Sequence, residues 1–196
     1  MPRPTPRRRP TSKKTAEVVG EGWQGPDDLV LFFDEARFGA KPEVARQWAL
    51  RGKRPRAAVL PGYENFFWYA AVAPRGGESF VLELPWVDAE MVSLYLDRLA
   101  AAFPDRRILL IWDRAGYHVA RGVRVPERIH LLPLPAYSPE LNPVEHLWPY
   151  LRRHACRNRL FRSLAEIQQA LAAVFRRLTP DHLASICHCN YLSYYN

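Results

Sequence analysis

The chain is short of everything that marks a secreted, disulfide-stapled or membrane protein. Only three cysteines occur in 196 residues, an odd number with two of them clustered, which is no disulfide framework. No apolar run approaches the roughly 20 residues that span a bilayer; the longest, Phe66 to Ala73, has the length of a strand. The basic N-terminus has no apolar segment behind it, so no secretory signal is expected. No Gly-rich loop of the kind that cradles nucleotide phosphates is present either. These absences point to a cytoplasmic protein with no membrane partner. Cys187-His188-Cys189, with His182, His154 and Cys156 nearby in sequence, invites a zinc reading. The C-x-C spacing has no second pair and differs from zinc-finger spacing, so buried free thiols are expected instead.

What is present is a globular composition, 48% hydrophobic and 12% aromatic, with the length of one ordinary domain. The net charge of +8 is unevenly spread. Arg3, Arg7, Arg8, Arg9, Lys13 and Lys14 lie in the first 14 residues with no acid among them, leaving only +2 for the rest. Pro2, Pro4, Pro6 and Pro10 interrupt this stretch, and Gly20, Gly22, Gly25 and Pro26 close it. Residues 1–26 are therefore expected to be a disordered basic arm or linker that grips phosphates without reading sequence, and 27–196 to be the folded domain. A solvated tail is the plainer alternative.

Two short, wholly apolar runs end on an acid: Leu29 to Phe33 before Asp34, and Ile108 to Trp112 before Asp113. Such runs read as strands buried on both faces. Between them the pattern predicts a hairpin (64–73 and 79–84, with Pro74-Arg75-Gly76-Gly77 as its turn) and a helix from about Asp88 to Phe103. A strand over 128–134 and three C-terminal helices follow. Asn142, Ser163 and Thr179 are the expected helix caps. A helix between the two acid-bearing strands permits a right-handed parallel crossover. The expected fold is α/β: a ribonuclease H-like mixed five-stranded sheet flanked by helices, with first and fourth strands adjacent.

Neighbouring strands lie about 4.8 Å apart, so Asp34 and Asp113 would share one sheet edge. Glu145, on the segment after Asn142-Pro143, is a third acid for that edge. Three carboxylates at one place repel unless a divalent cation lies between them. Oxygen-only ligands suit Mg²⁺, and a pair of such ions activates the attacking oxygen and neutralises the leaving one in phosphodiester chemistry. Either Asp alone is as readily a strand-end cap, and Glu145 has a competing role as capping-box partner of Asn142.

Four blocks carry a family resemblance: Phe33-Asp34-Glu35-Ala36-Arg37-Phe38; Trp48-Ala49 with Arg51-Gly52; Trp112-Asp113-Arg114-Ala115-Gly116-Tyr117-His118; and Leu134-Pro135-Ala136-Tyr137-Ser138-Pro139-Glu140-Leu141-Asn142-Pro143-Val144-Glu145-His146-Leu147-Trp148. Together they resemble the catalytic domain of bacterial insertion-sequence transposases of the mariner superfamily. The resemblance implies an acid triad of Asp34, Asp113 and Glu145 that binds two Mg²⁺ or Mn²⁺ ions. It implies DNA strand cleavage followed by strand transfer, with transposon ends and target DNA as partners, and a homodimer. It also implies a helix-turn-helix for which 26 residues are too few, hence a separate chain for that part or a truncated relic. Only 31 residues separate Asp113 from Glu145, slightly fewer than the family spacing, and Pro149 is expected to kink the helix behind Glu145.

Around this core, Arg37, Arg51, Lys53, Arg54 and Arg56 are candidate phosphate contacts alongside Arg7, Arg8, Arg9, Lys13 and Lys14. His118, His146 and Asn142 are candidates for orienting a phosphate or water, with hydrogen-bonded core histidines as the alternative. Trp48, Tyr137 and Trp148 are expected in the core rather than as base-stacking platforms. Two rivals stay open: another ribonuclease H-like nuclease, and a degenerate remnant that binds DNA without cutting it.

Overall fold

The computed structural model describes residues 10–39, 48, 50–52, 64–113 and 122–195, with backbone alone at 10–14 and 193–195. Its centre is a five-stranded sheet of order β3-β2-β1-β4-β5. The strands are β1 (Asp28–Gly39), β2 (Asn65–Val72), β3 (Ser79–Leu84), β4 (Arg107–Trp112) and β5 (Ile129–Pro133). β1 runs parallel to β4, which runs parallel to β5, whereas β1, β2 and β3 form an antiparallel meander. First and fourth strands are thus neighbours, as expected.

Helix α2 (Ala89–Ala102) makes the crossover, capped by Asp88, whose carboxylate accepts from the Met91 N–H at 2.8 Å. It covers one face of the sheet through Val92, Tyr95, Leu96 and Leu99, packed on Phe33, Leu110 and Trp112. The opposite face carries Phe32, Phe38, Ile111 and Trp68 beneath α3 (Leu147–Leu151), α4 (Leu164–Phe175) and α5 (Pro180–Ile186). Ser163 and Thr179 cap the last two. Gly77, at φ +74°, seats the β2–β3 turn on α5, where a Cβ would lie 1.9 Å from the Pro180 carbonyl oxygen.

Two expectations are corrected. Strand β1 does not stop at Asp34 but continues to Gly39. The apolar run is the part covered on both faces; beyond it Glu35, Ala36, Arg37 and Phe38 alternate, the period-2 pattern of a half-buried strand. That continuation pairs with β2 alone, from Phe33↔Ala71 to Gly39↔Asn65. Residues 10–22 are not a disordered arm either: Pro10–Gly22 forms helix α1, with Ala16 and Val19 buried in the core. Pro10 stands at the helix start, where its missing N–H costs no bond. α1 packs on the terminal 3₁₀ segment Asn190–Tyr195. Arg107 ties down the far end, donating to the Gly22 carbonyl at 2.8 Å, pairing with Asp28 at 2.7 Å and stacking 4.3 Å over Trp23. Arg107 in turn holds the Asp28 carboxyl below its ordinary range.

Placing a charge at Val19 should therefore damage the fold. Val19→Asp is expected to destabilise by more than about 2 kcal/mol, read as a lowered Tm; an unchanged melting curve would mean that α1 does not dock.

Candidate active site

The parallel register of β1 and β4 ends at Phe32↔Ile111. Asp34 and Asp113 each stand two residues further on, at about the same height; strand alternation turns Asp34 toward the α3 face, while Asp113 follows the end of β4, exposed at the same edge. There β1 keeps only β2 as a partner. β5 ends at the same level, with Pro133 beside Trp112, and the Leu134 N–H bonds the Trp112 carbonyl at 2.7 Å. The chain leaving β5 then folds back across this edge and delivers Glu145. Asp34, Asp113 and Glu145 line one cleft of about 340 Å³, walled by the loop from Leu134 to Pro139 and by Asn142.

Asn142 fixes this loop. Its side-chain N–H₂ donates to the Phe33 carbonyl at 2.9 Å, while its side-chain oxygen accepts from the Val144 N–H at 3.3 Å. The Asn142 N–H itself goes to the Pro139 carbonyl, so Glu145 does not complete a capping box with Asn142. Pro143–His146 is a tight 3₁₀ turn, followed by α3 and then a π turn at Arg152–Cys156. The helix changes type on either side of Pro149 and adapts to it in that way.

Asp34 is the most deeply placed acid, 9% exposed. One of its oxygens accepts a buried hydrogen bond from Trp148 Nε1 at 2.6 Å. Burial, reinforced by the charge of Glu145, pushes the Asp34 carboxyl up to about 8 against the opposing pull of the Trp148 bond. The half-buried Glu145 is also raised, first by burial and then by Asp113, with Arg152 and His146 working in the other direction. Asp34 thus feels Glu145, and Glu145 feels Asp113, as a like charge. Among the described residues no three Asp, Glu, His or Cys side chains close into a ready metal cage. The three acids face one shared space. Oxygen-only donors that raise one another's proton affinity fit a hard divalent cation.

Other expected site residues fall elsewhere. His146 is exposed beside Glu145. Arg37 is exposed on β1 on the opposite face from Asp34, and its carbonyl accepts from Arg152 at 3.0 Å. Arg51 is exposed. The side chains of Lys13 and Lys14, and the whole of Arg7, Arg8, Arg9, Lys53, Arg54, Arg56 and His118, lie outside the described residues. Cys156, Cys187 and Cys189 are buried free thiols, with Cys187 pushed up to about 12 by burial. His188 points outward to Asn190 at 2.6 Å.

Four residues take places or roles that the sequence did not announce. Trp148 is buried as expected, but its indole also holds Asp34; its spacing of three from Glu145, and of six from Asn142, is the signal that all three face β1. Trp48 and Tyr137, expected in the core, are 101% and 97% exposed. Arg152, not singled out, lies 5.1 Å over the Phe38 ring and acts on Glu145.

A mixed five-stranded sheet of this order, with helices on both faces, is the ribonuclease H-like fold. The DDE superfamily endonuclease family model matches residues 29–168, and the chain belongs to that family. An uncharacterized protein of Sinorhizobium fredii, y4pE/y4sA, is 37% identical over 111 residues, 56% of this chain and 82% of that protein. The Tc3 transposase of Caenorhabditis elegans is 32% identical over 182 residues, 86% of this chain and 54% of the transposase. Among solved structures, the Mos1 transposase paired-end complex with the left transposon end shares the fold over 100% of this chain and 63% of that one, with a TM-score of 0.67 and 20% identity. The chain thus spans about half the length of Tc3 transposase and under two thirds of Mos1. No helix among the described residues is long and apolar enough to cross a membrane.

Two stability predictions follow from Asp34. Because its folded carboxyl lies far above its ordinary value, the fold favours the protonated form; stability is full below about pH 4 and falls as pH rises toward 8. Asp34→Asn should remove this loss and raise the metal-free Tm at pH 8 by several degrees, at about 2–4 °C per kcal/mol for this length, with little change at pH 4. Trp148→Phe takes away a bond to the charged form and should cost about 1.5–3 kcal/mol above pH 8, less at pH 5. Identical losses at both pH values would show that the indole acts only by packing.

Proposed function

We propose that the chain is the catalytic domain of a DNA transposase, cutting a DNA strand and joining the freed 3′ end to target DNA. The observation that carries this is the placing of Asp34, Asp113 and Glu145 on one cleft in a chain of the DDE endonuclease family. These three residues would hold two Mg²⁺ or Mn²⁺ ions. Bound there, the ions supply an activated attacking oxygen and charge neutralisation at the leaving oxygen. The chain's own part is to fix the ligands: Trp148 holds one oxygen of Asp34 in place. Asn142 ties the Glu145 turn to β1, so the third acid is registered against the first. Arg152 and His146 oppose the build-up of negative charge around Glu145.

DNA is the proposed partner because two of the proteins named above, Tc3 and Mos1, are transposases and because the basic residues at 3–14 supply sequence-independent attraction to phosphates. Arg7, Arg8, Arg9, Lys13, Lys14, Arg37, Arg51, Lys53 and Arg54 are the proposed backbone contacts. Dimer formation and a cytoplasmic setting belong to the same reading. Mos1 structures with Mn and with Mg support the choice of ion.

The test is cleavage of duplex DNA with Mg²⁺ or Mn²⁺. Asp34→Asn, Asp113→Asn and Glu145→Gln should each abolish nicking and strand transfer while DNA affinity, followed by anisotropy, is retained. Metal-dependent nicking that survives in any of the three removes that residue from the site. Preference for RNA–DNA hybrids over duplex DNA would move the enzyme to the ribonuclease class, and steep salt-dependent binding without cation uptake would make it a non-catalytic remnant.

A further inference from the structure

Tyr137 lines the same cleft as the three acids, yet its side chain is 97% exposed and adds nothing to the core. Its backbone is also in an unfavourable state: φ is +56°, in the left-handed region where a bulky side chain is an outlier and glycine or asparagine is at ease. Only one other described non-glycine residue, Asn158, has positive φ, and asparagine tolerates it.

The loop that bears Tyr137 is held on both sides. Leu134 is buried and bonds back to Trp112; the N–H groups of Leu141 and Asn142 bond to the Ser138 and Pro139 carbonyls at 3.0 and 2.9 Å. Ser138 is buried, and the Tyr191 hydroxyl donates to the Leu141 carbonyl at 2.7 Å. A fixed loop thus presents a strained, solvated aromatic ring at the mouth of an acid-lined cleft. Strained backbone at such a place points to a task for the side chain. An exposed ring offers a flat π face, and the ligand group that matches it beside a phosphodiester is a nucleobase.

Resting on the transposase reading above, we propose that Tyr137 is a stacking platform for a base next to the phosphate that enters the Asp34–Asp113–Glu145 cleft. A base can reach the ring only where it is unpaired, at a strand end or extruded from the duplex. The site would therefore favour frayed or opened DNA at the point of reaction, and it assigns Tyr137 to substrate positioning, with the acids keeping the chemistry.

The test uses the full chain, Ca²⁺ in place of Mg²⁺, and a DNA duplex with a short 3′ overhang carrying 2-aminopurine at its first unpaired position. Wild type should quench the 2-aminopurine on binding. Tyr137→Ala and Tyr137→Gly should lose the quench and bind the overhang roughly tenfold or more weakly, while Tyr137→Phe and Tyr137→Trp keep both. Tyr137→Gly should melt no lower than Tyr137→Ala, since it relieves the backbone. Unchanged quenching in Tyr137→Ala, or a changed oligomeric state with no change in quenching, overturns the proposal and leaves the cleavage reading intact. Failure of wild type to bind DNA at all overturns both.

Discussion

Gathering ionised carboxylates at a half-dry sheet edge is expensive, and the rest of this molecule is arranged around that cost. Two unit charges about 4 Å apart repel by roughly 4 kcal/mol at an effective dielectric of 20, and burial adds its own penalty. Asp34 carries both burdens, relieved from the protein side by the Trp148 bond and, to a lesser degree, by the Glu35 backbone N–H. Two neutral donors are weak compensation for a buried acid. A fold selected for stability alone would place an apolar residue there, as it does at Phe32 and Ala36 on the same face.

The scaffold that imposes this arrangement is a change of partners along β1. Its first half is clamped to β4 and its second half to β2, the two ladders overlapping at Phe32. Beyond that point the side formerly held by β4 opens, and the cleft lies there. Asn142 then spans the opening from the loop after β5 to the Phe33 carbonyl. One buried amide thereby ties together the first strand and the third acid, which are far apart in sequence. Asp113 needs no such brace because it follows β4 directly.

The sheet was legible because its buried strands are written as unbroken apolar runs and its crossover helix has a clear cap at Asp88. The two acids were legible for the same reason, since each terminates a run. What sequence reasoning missed were features set by tertiary contact. The last third of β1 alternates, and its polar residues disguised a strand that pairs on one side only. Helix α1 looks like a Pro- and Gly-bounded tail, and it is placed by contacts remote in sequence: Ala16 and Val19 in the core, the terminal segment Asn190–Tyr195, and Arg107, 85 residues from Gly22 along the chain. The placement of Tyr137 outside the core depends on a left-handed turn with no glycine to announce it.

One of these misses, Tyr137, lies on the same stretch of surface as the candidate site. Local preference and fold agree through most of the chain: caps where caps are expected, apolar stripes facing the sheet. They part company at Asp34, where an acid is buried against like charges, and at Tyr137, where a ring is exposed on strained backbone. Both line the same cleft. Independent departures from local preference would scatter over a surface of 13052 Å². Their meeting in one cleft is what a site under chemical selection produces, because only there does a ligand return the stability each of them gives up.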